Sequence, residues 1–510
     1  MSHARRVAKN TGILYVRMAI TVFISLYTTR IVLQALGIED FGIYSLAGGS
    51  VAMLTFLNGS LSSATQRFMS YSLGQGEKQR LHQIFNVSLV LHTSIALLTL
   101  LLLEGIGYLL FDRIFNIKTE RQQAAWLVYQ FAVLSTFFTI LTVPYDAVIN
   151  ARENMLWFAV MGVVESILKL IVALIVFDTP NDKLRLFALL MAGTTIILLL
   201  IRVTYCHSKY TECTIALRRY FNKPLLKEMS AFAGWSLLGT FSSMIANYGQ
   251  APLLNAFFGT KVNAAQGLVA QISGQLGVLA NVMLRAVNPL IAKSEGAGNR
   301  NLMIKASIFS SKMGFFLLTI VYVPVMTELP YLFKLWLDQV PEYAIAFCYL
   351  LMIRNLIEQC YIPLMSSISA VGDIRLFQTI HSAIALAPLL ISYLLFLWGF
   401  GPEALYAVFI AYSCITFCTT VFFAKRVCQL PVRDYIFNVI VRCILSVCAI
   451  AISAIIPTLL MTQGLTRLLT VCFLSLSASI ASIWFIGFTK NERISIKFVA
   501  LNNKPEAQIS

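Results

Sequence analysis

The sequence predicts an all-α integral membrane protein of about 14 transmembrane helices. They would form two six-helix lobes related by a parallel pseudo-two-fold repeat, with two further helices at the C-terminus. Three observations carry this. Of 510 residues, 58% are hydrophobic and 12% charged, about half the roughly 25% charge of soluble domains. Apolar runs long enough to cross the hydrocarbon, about 20 residues at 1.5 Å each, follow one another with short connections. The first half of the chain is also echoed in the second.

The runs fall at 11–36, 41–65, 82–111, 122–149, 154–177, 184–206, 229–257, 262–292, 302–331, 342–370, 374–398, 403–424, 434–460 and 466–488. The first, TGILYVRMAITVFISLYTTRIVLQAL, is longer than the apolar core of a secretory signal and lacks a clear small-residue cleavage site. With further spans behind it, it reads as a retained helix. The acidic connection GIED leads into the second run, and an even number of spans returns both termini to one side. That side carries 23 Lys and Arg residues in its loops and tails, among them Arg5, Arg6, Lys9, Arg218 and Arg219, against 8 on the other. Basic loops stay inside, so both termini are expected to be cytoplasmic.

The echo runs at an offset of 222, pairing Gly12 with Gly234, Gly37 with Gly259, and Ser72-Leu-Gly74-Gln-Gly76 with Ser294-Glu-Gly296-Ala-Gly298. Further on, at an offset of 219, Pro144 pairs with Pro363, Ala151 with Ala370 and Phe158 with Phe377. Each unit holds six spans, so the copies share one orientation. The expected divisions are an N-lobe (1–206), a cytoplasmic linker (207–228), a C-lobe (229–426), two extra spans (427–488) and a cytoplasmic tail (489–510).

Several function classes are excluded. The net charge of +16 follows alternate loops, which is a topology signal and not a nucleic-acid patch. The ten cysteines form no CxxC or metal-ligand cluster, and the five histidines form no HExxH; no metal or cofactor is expected, and the cysteines read as small buried hydrophobes. No loop is large enough for a catalytic domain, so no catalytic residues are assigned and the chain reads as a non-enzyme.

Eight basic residues lie within or at the ends of spans: Arg17, Arg30, Lys169, Arg202, Arg285, Lys312, Arg354 and Arg442. Arg202, Lys312 and Arg442 sit near cytoplasmic ends, where they are expected to snorkel. The others face a cost of at least about 2.5–3.5 kcal/mol on a lipid-facing helix, so they should line a bundle interior or a wet cavity. In the first span Asn10, Arg17, Thr21 and Thr28 recur at helical spacing and make one side polar. Glu165 with Lys169, and Arg354 with Glu358, are spaced to share a helix face. Each is either a neutralised pair that lowers the cost of insertion or a pair that opens when a phosphate or coupling ion competes. The repeat partners of Arg17, Arg30, Arg285 and Lys169 are Gly239, Pro252, Ser63 and Pro388. A charge needed by the scaffold would recur in both halves, so Arg17 and Arg285 are assigned to function. Arg30 is the weaker candidate, about 140° around the helix from Arg17 and near enough to the outer end to snorkel.

The second, seventh and eighth runs are rich in Ser, Asn and Gln. Small and hydroxyl residues often serve helix packing, but Gln271, Gln275 and Asn281 on the eighth run, with Asn247 on the seventh, offer donors and acceptors for hydroxyl-rich ligands. Gln271, Gln275 and Arg285 fall within an arc of about 80°. Guanidinium groups in a low-dielectric site suit phosphate, and amides suit sugars. Together they point to an anionic, glycan-bearing substrate with a lipid tail.

The opening RVAKNTGILYVRMAITVFISLYTTRIVLQALGIEDFGIYSL resembles the start of the bacterial polysaccharide-transport proteins. These are the O-antigen and capsule oligosaccharide flippases of the superfamily that also holds the MATE multidrug exporters and the lipid II flippase. The turn Leu36, Gly37, Phe41, Gly42, Tyr44, Ser45 carries the resemblance best, with Ala370, Gly372 and Arg375 after the tenth span. It implies a MATE-like fold, alternating access, and a cavity lined by spans one, two, seven and eight. It further implies transfer of an undecaprenyl-diphosphate-linked oligosaccharide to the outer leaflet of the inner membrane. Arg17 and Arg285, with Arg30 and Lys169, would hold the diphosphate, and the two extra spans would border the lipid tail. H⁺ or Na⁺ are candidate coupling ions, with Glu165 and Asp146 as coupling sites or as paired groups, and polysaccharide polymerase machinery is a candidate partner. The rivals are a multidrug antiporter of the same fold, which would call for intramembrane carboxylates where the first span has arginines, and a membrane glycan polymerase or ligase.

Overall fold

The computed structural model describes residues 3–52, 55–113, 119–180, 182–336, 340–490 and 492–494. All regular elements among them are helical. In order they are α1 (His3–Ala52), α2 (Thr55–Gln75), α3 (Lys78–Arg113), α4 (Thr119–Ala151), α5 (Met155–Asp178), α6 (Lys183–Lys209), α7 (Leu217–Tyr220), α8 (Lys223–Tyr248) and α9 (Gln250–Gly296). There follow α10 (Arg300–Thr327), α11 (Leu329–Trp336), α12 (Ala344–Val371), α13 (Arg375–Leu397), α14 (Glu403–Cys428), α15 (Val432–Tyr435), α16 (Arg442–Leu460) and α17 (Leu465–Ser482). Among the described residues, 12 helices are long and apolar enough to cross a membrane. The second expected span (41–65) falls on the end of α1 and the start of α2, and the seventh (229–257) on α8 and the start of α9; α2 and α8 are helical but fall outside that count. Their Ser, Thr and Asn content lowers the hydropathy on which the count rests.

The repeat is written into the backbone. Two long helices break at one glycine each, α1 at Gly37 (φ 75°, ψ 172°) and α9 at Gly259 (φ 76°, ψ −172°). These are the residues that the offset of 222 pairs. The next matched pair, Gly76 and Gly298, shares φ values of 77° and 72°. The GIED connection is thus a one-residue break, with helix resuming at once. Side chains are all but excluded from the Gly37 and Gly259 conformation, so Gly37→Ala and Gly259→Ala should each cost about 1–3 kcal/mol. Gly12 sits mid-helix with nothing within 4 Å of an added Cβ, and Gly12→Ala should be neutral or stabilising. Thermal midpoints of the purified variants check this; equal midpoints for all three would refute it.

The chain divides into two compact units. The first comprises Asn10–Thr240 with Gly296–Gly298. Both halves of α1 feed its core, Ile31 and Leu36 before the break and Ile43 and Ala47 after it, against Tyr129, Val172 and Phe187. Its α6–α8 connection is tied down. Buried Glu212 takes a 2.8 Å ion pair from Arg152, and Asn86 bonds both Thr214 O and Ala216 N at 2.9 Å. Asn154 caps α5 and donates to the hydroxyls of Tyr205 (2.9 Å) and Tyr210 (3.0 Å). Burial pushes the Tyr210 phenol up to about 12, so that contact stays neutral at physiological pH.

The second unit comprises Phe241–Glu295 and the described residues from Asn299 onward, with the N-terminal residues up to Lys9. One cluster around Tyr322, Phe347 and Phe409 and another around Phe316, Leu364 and Tyr435 fill it. Here α16 and α17 are fastened to α10. Lys312, fully buried, pairs with Glu492 at 2.7 Å. Arg467 grips buried Glu328 through Nε (2.7 Å) and Nη2 (2.8 Å). Arg442 donates to Ile486 O (2.7 Å). The expected snorkelling of Lys312 and Arg442 is therefore corrected: each finds a carboxylate or carbonyl inside the protein, so neither has to reach water.

The cysteine expectation also needs correcting. Cys206, Cys213, Cys348, Cys360, Cys428 and Cys443 are buried, but Cys414, Cys418, Cys448 and Cys472 are exposed on α14, α16 and α17. A small apolar thiol faces hydrocarbon as readily as a protein core.

Candidate functional site

Within the first unit, the polar side of α1 turns partly onto its own backbone. Thr21, Thr28 and Thr29 donate to carbonyls of Met18 (3.1 Å), Ile24 (2.8 Å) and Ser25 (2.9 Å). Asn10 is buried and donates to Glu153 O at 3.4 Å. Arg17 instead crosses to α5. Its guanidinium carbon lies 4.6 Å from the centre of the Phe158 ring, and its Nε is buried with no hydrogen-bond partner.

The charges around Arg17 are already engaged with one another. Glu165, Asp146 and Arg202 all act on it electrostatically. Glu165 is held by Lys169 at 2.7 Å and Asp146 by Arg202 at 3.0 Å. Among the described residues, three cations therefore face two carboxylates, and Arg17 is the surplus charge. The Arg202 pair corrects the snorkelling expected there, because Asp146 on α4 supplies a countercharge within reach. A half-buried cation without a carboxylate is costly at membrane depth, and such residues mark ligand sites more often than scaffold.

The second unit treats its charge differently. Arg354 is buried, 2.8 Å from Glu358, with its guanidinium 4.7 Å from the Phe409 ring centre. Ser413 donates to the same carboxylate oxygen at 3.4 Å. Charge, stacking and hydrogen bonding are all satisfied, which gives a closed pair.

The remaining candidates are not drawn into either cluster. Arg30 is exposed on α1, as are Asn247 on α8 and Gln271, Asn281 and Arg285 on α9. Asn247 donates to Ser243 O at 2.9 Å. The side chain of Gln275 lies outside the described residues. Sequence reasoning missed Phe158, Gly162, Asp146 and Arg202 as neighbours of Arg17. Phe158, Gly162, Glu165 and Lys169 follow at steps of four, three and four along α5, one helix face, and that spacing was the available signal.

These helices and clusters define a multi-pass integral membrane protein whose first unit carries, at its first span, a cation with no paired carboxylate among the described residues. Residues 14–175 match the MatE family model. A stretch of 98 residues is 30% identical to the uncharacterized membrane protein EpsK of Bacillus subtilis (strain 168); it covers 19% of this chain and 19% of that protein's length. Among solved structures, an outward-facing multidrug resistance MATE family transporter of the MOP superfamily superposes with a TM-score of 0.70 at 14% identity, over 83% of this chain and 96% of the other. A MOP superfamily transporter from Pyrococcus furiosus, described by the reverse polarity of its binding pocket, gives 0.69 at 14%, over 84% and 98%. The bent form of the Vibrio cholerae MATE transporter VcmN gives 0.64 at 17%, over 83% and 98%. The chain has the fold of these transporters.

Proposed function

We propose that this protein is a transporter that flips an undecaprenyl-diphosphate-linked oligosaccharide from the cytoplasmic to the outer leaflet of the bacterial inner membrane. It works by alternating access, with both termini cytoplasmic, and serves O-antigen or capsule synthesis. The observation that carries this reading is Arg17, a guanidinium over Phe158 with no carboxylate paired to it among the described residues. A diphosphate supplies the missing anion, and the planar fork of arginine matches its oxygens in pairs. Arg285 on α9 is the second candidate cation, and Lys169 and Arg30 are subsidiary ones. Gln271, Gln275, Asn281 and Asn247 serve the glycan, and the exposed apolar faces of α16 and α17 suit the polyprenyl tail.

A cationic drug would need an unneutralised carboxylate. Glu165 and Asp146 in the first unit are paired with Lys169 and Arg202, which favours the anionic substrate. The likeness to multidrug transporters, at 14–17% identity, bears on fold and not on substrate. Candidate H⁺ or Na⁺ coupling and association with polymerase machinery belong to the same proposal.

Deleting the gene and quantifying lipid-linked oligosaccharide and surface polysaccharide tests it. Completed lipid-linked units trapped facing the cytoplasm, with surface glycan lost, are expected. Unchanged glycan with altered resistance to cationic drugs would instead support the antiporter.

A further inference from the structure

We infer that Gly162 is a positioning residue for Arg17: it forms a notch in α5 that seats the guanidinium over Phe158 and away from the carboxylates beside it. The inference rests on the reading of Arg17 as the diphosphate-binding cation.

Three facts meet at this notch. A Cβ built on Gly162 would lie 2.5 Å from Cζ and Nη2 of Arg17 and closer still to Nε. No real Cβ makes such contacts, so any side chain at 162 pushes the guanidinium off its seat. One helical turn earlier on the same face, the Phe158 ring provides the floor, 4.6 Å from Cζ and itself buried. One turn later comes Glu165, whose carboxylate is engaged by Lys169. The α5 face is thus ordered as ring, gap, carboxylate and ammonium, and Arg17 occupies the gap.

The second copy of the repeat shows that the scaffold does not require this gap. At the offsets of 222 and 219, Arg17 becomes Gly239, Gly162 becomes His381 and Phe158 remains aromatic as Phe377. There the aromatic ring has a neighbour on its own helix, with the His381 and Phe377 centroids 5.8 Å apart. The large residue has moved from the first helix of the repeat to the fifth, and the small residue has moved the other way. Of the two copies, only the first carries a long cation at the first-helix position.

A purely structural Gly162 forecasts no transport defect. The residue is helical, and alanine is the better helix former, so Gly162→Ala should hold or raise the thermal midpoint. Under the positioning role it should also slow transport. The decisive experiment is a double-mutant cycle in proteoliposomes, using a fluorescent undecaprenyl-diphosphate monosaccharide as probe. Gly162→Ala should lower the rate about tenfold at limiting probe, the scale of one desolvated cation–π contact, with the change falling on KM. In an Arg17→Lys background, where a flexible ammonium can bend away from the added methyl, the same substitution should cost less than about twofold, because non-additivity marks residues acting through one another. Equal losses in both backgrounds, or no loss with Arg17 present, would overturn the role of Gly162 while leaving Arg17 in place. Arg17→Lys and Arg17→Ala both transporting like wild type, or a wild-type protein that leaves the probe unmoved, would overturn the underlying reading and this inference with it.

Discussion

Alanine at Arg17 is expected to abolish translocation and surface glycan, a loss of about a hundredfold or more, on the scale of two charge-assisted hydrogen bonds to phosphate. The protein should still fold. Among the described residues Arg17 has no paired carboxylate and its Nε is unsatisfied, so the favourable contacts to be lost are the one with Phe158 and the longer-range attraction to Glu165 and Asp146. Removing an uncompensated cation also relieves a desolvation cost, so the thermal midpoint of Arg17→Ala should match or exceed wild type. Arg17→Lys should retain part of the activity, since charge survives without the planar fork. Arg285→Ala should share the transport defect. Arg354→Ala makes the contrast: it strands Glu358, which is bonded to it at 2.8 Å, and should lower stability. Measuring translocation and midpoint on the same preparations separates the two kinds of arginine. Normal glycan in both Arg17→Ala and Arg285→Ala at native expression would remove these residues from the site.

The second large effect concerns stability. Glu492→Ala should destabilise the second unit by about 3–5 kcal/mol, the usual cost of breaking a buried ion pair from one side. Lys312 is fully buried and 2.7 Å from that carboxylate, so the variant leaves an ammonium without a partner. Glu492 also accepts from Thr489 N at 2.7 Å, so the start of its own short helical turn is lost as well. Lys312→Met removes the fully buried charge and keeps most of the volume; it leaves Glu492 unpaired, but that carboxylate is partly exposed and still accepts from Thr489 N, so the variant should cost less than Glu492→Ala. The double variant Lys312→Met with Glu492→Ala should therefore recover most of the loss. Thermal midpoints in detergent give the answer; a double variant as unstable as Glu492→Ala alone would show that Lys312 is not what the carboxylate answers.

Much of this architecture was legible in the residues because membrane insertion is a strong local constraint. A run must be apolar over about 20 residues or it does not cross, so spans announce themselves one by one. Glycines at special backbone angles are equally local, and the pairing of Gly37 with Gly259 in sequence became the same helix break in space. The pairs Glu165–Lys169 and Arg354–Glu358 were legible for the same reason, since helical spacing alone brings their side chains together. The polar residues of α2 and α8 were legible too, and they are what takes those helices out of a count based on hydropathy.

Partners on other helices were not legible. Lys312 and Arg202 looked like snorkelling residues because a sequence shows a charge near a span end but not the carboxylate that packing brings to it, 180 residues away for Glu492. The seat of Arg17 depends on a missing Cβ on a different helix, and an absence facing another element leaves no mark in local patterning. The sequence by itself determined the membrane-spanning helical class, the repeat and the types of charge carried at membrane depth, because these follow from hydropathy and helical period. Only the tertiary structure decided which charges are neutralised and that Arg17, among the described residues, has no paired carboxylate, because pairing is a matter of ångströms between helices that the chain order does not place side by side.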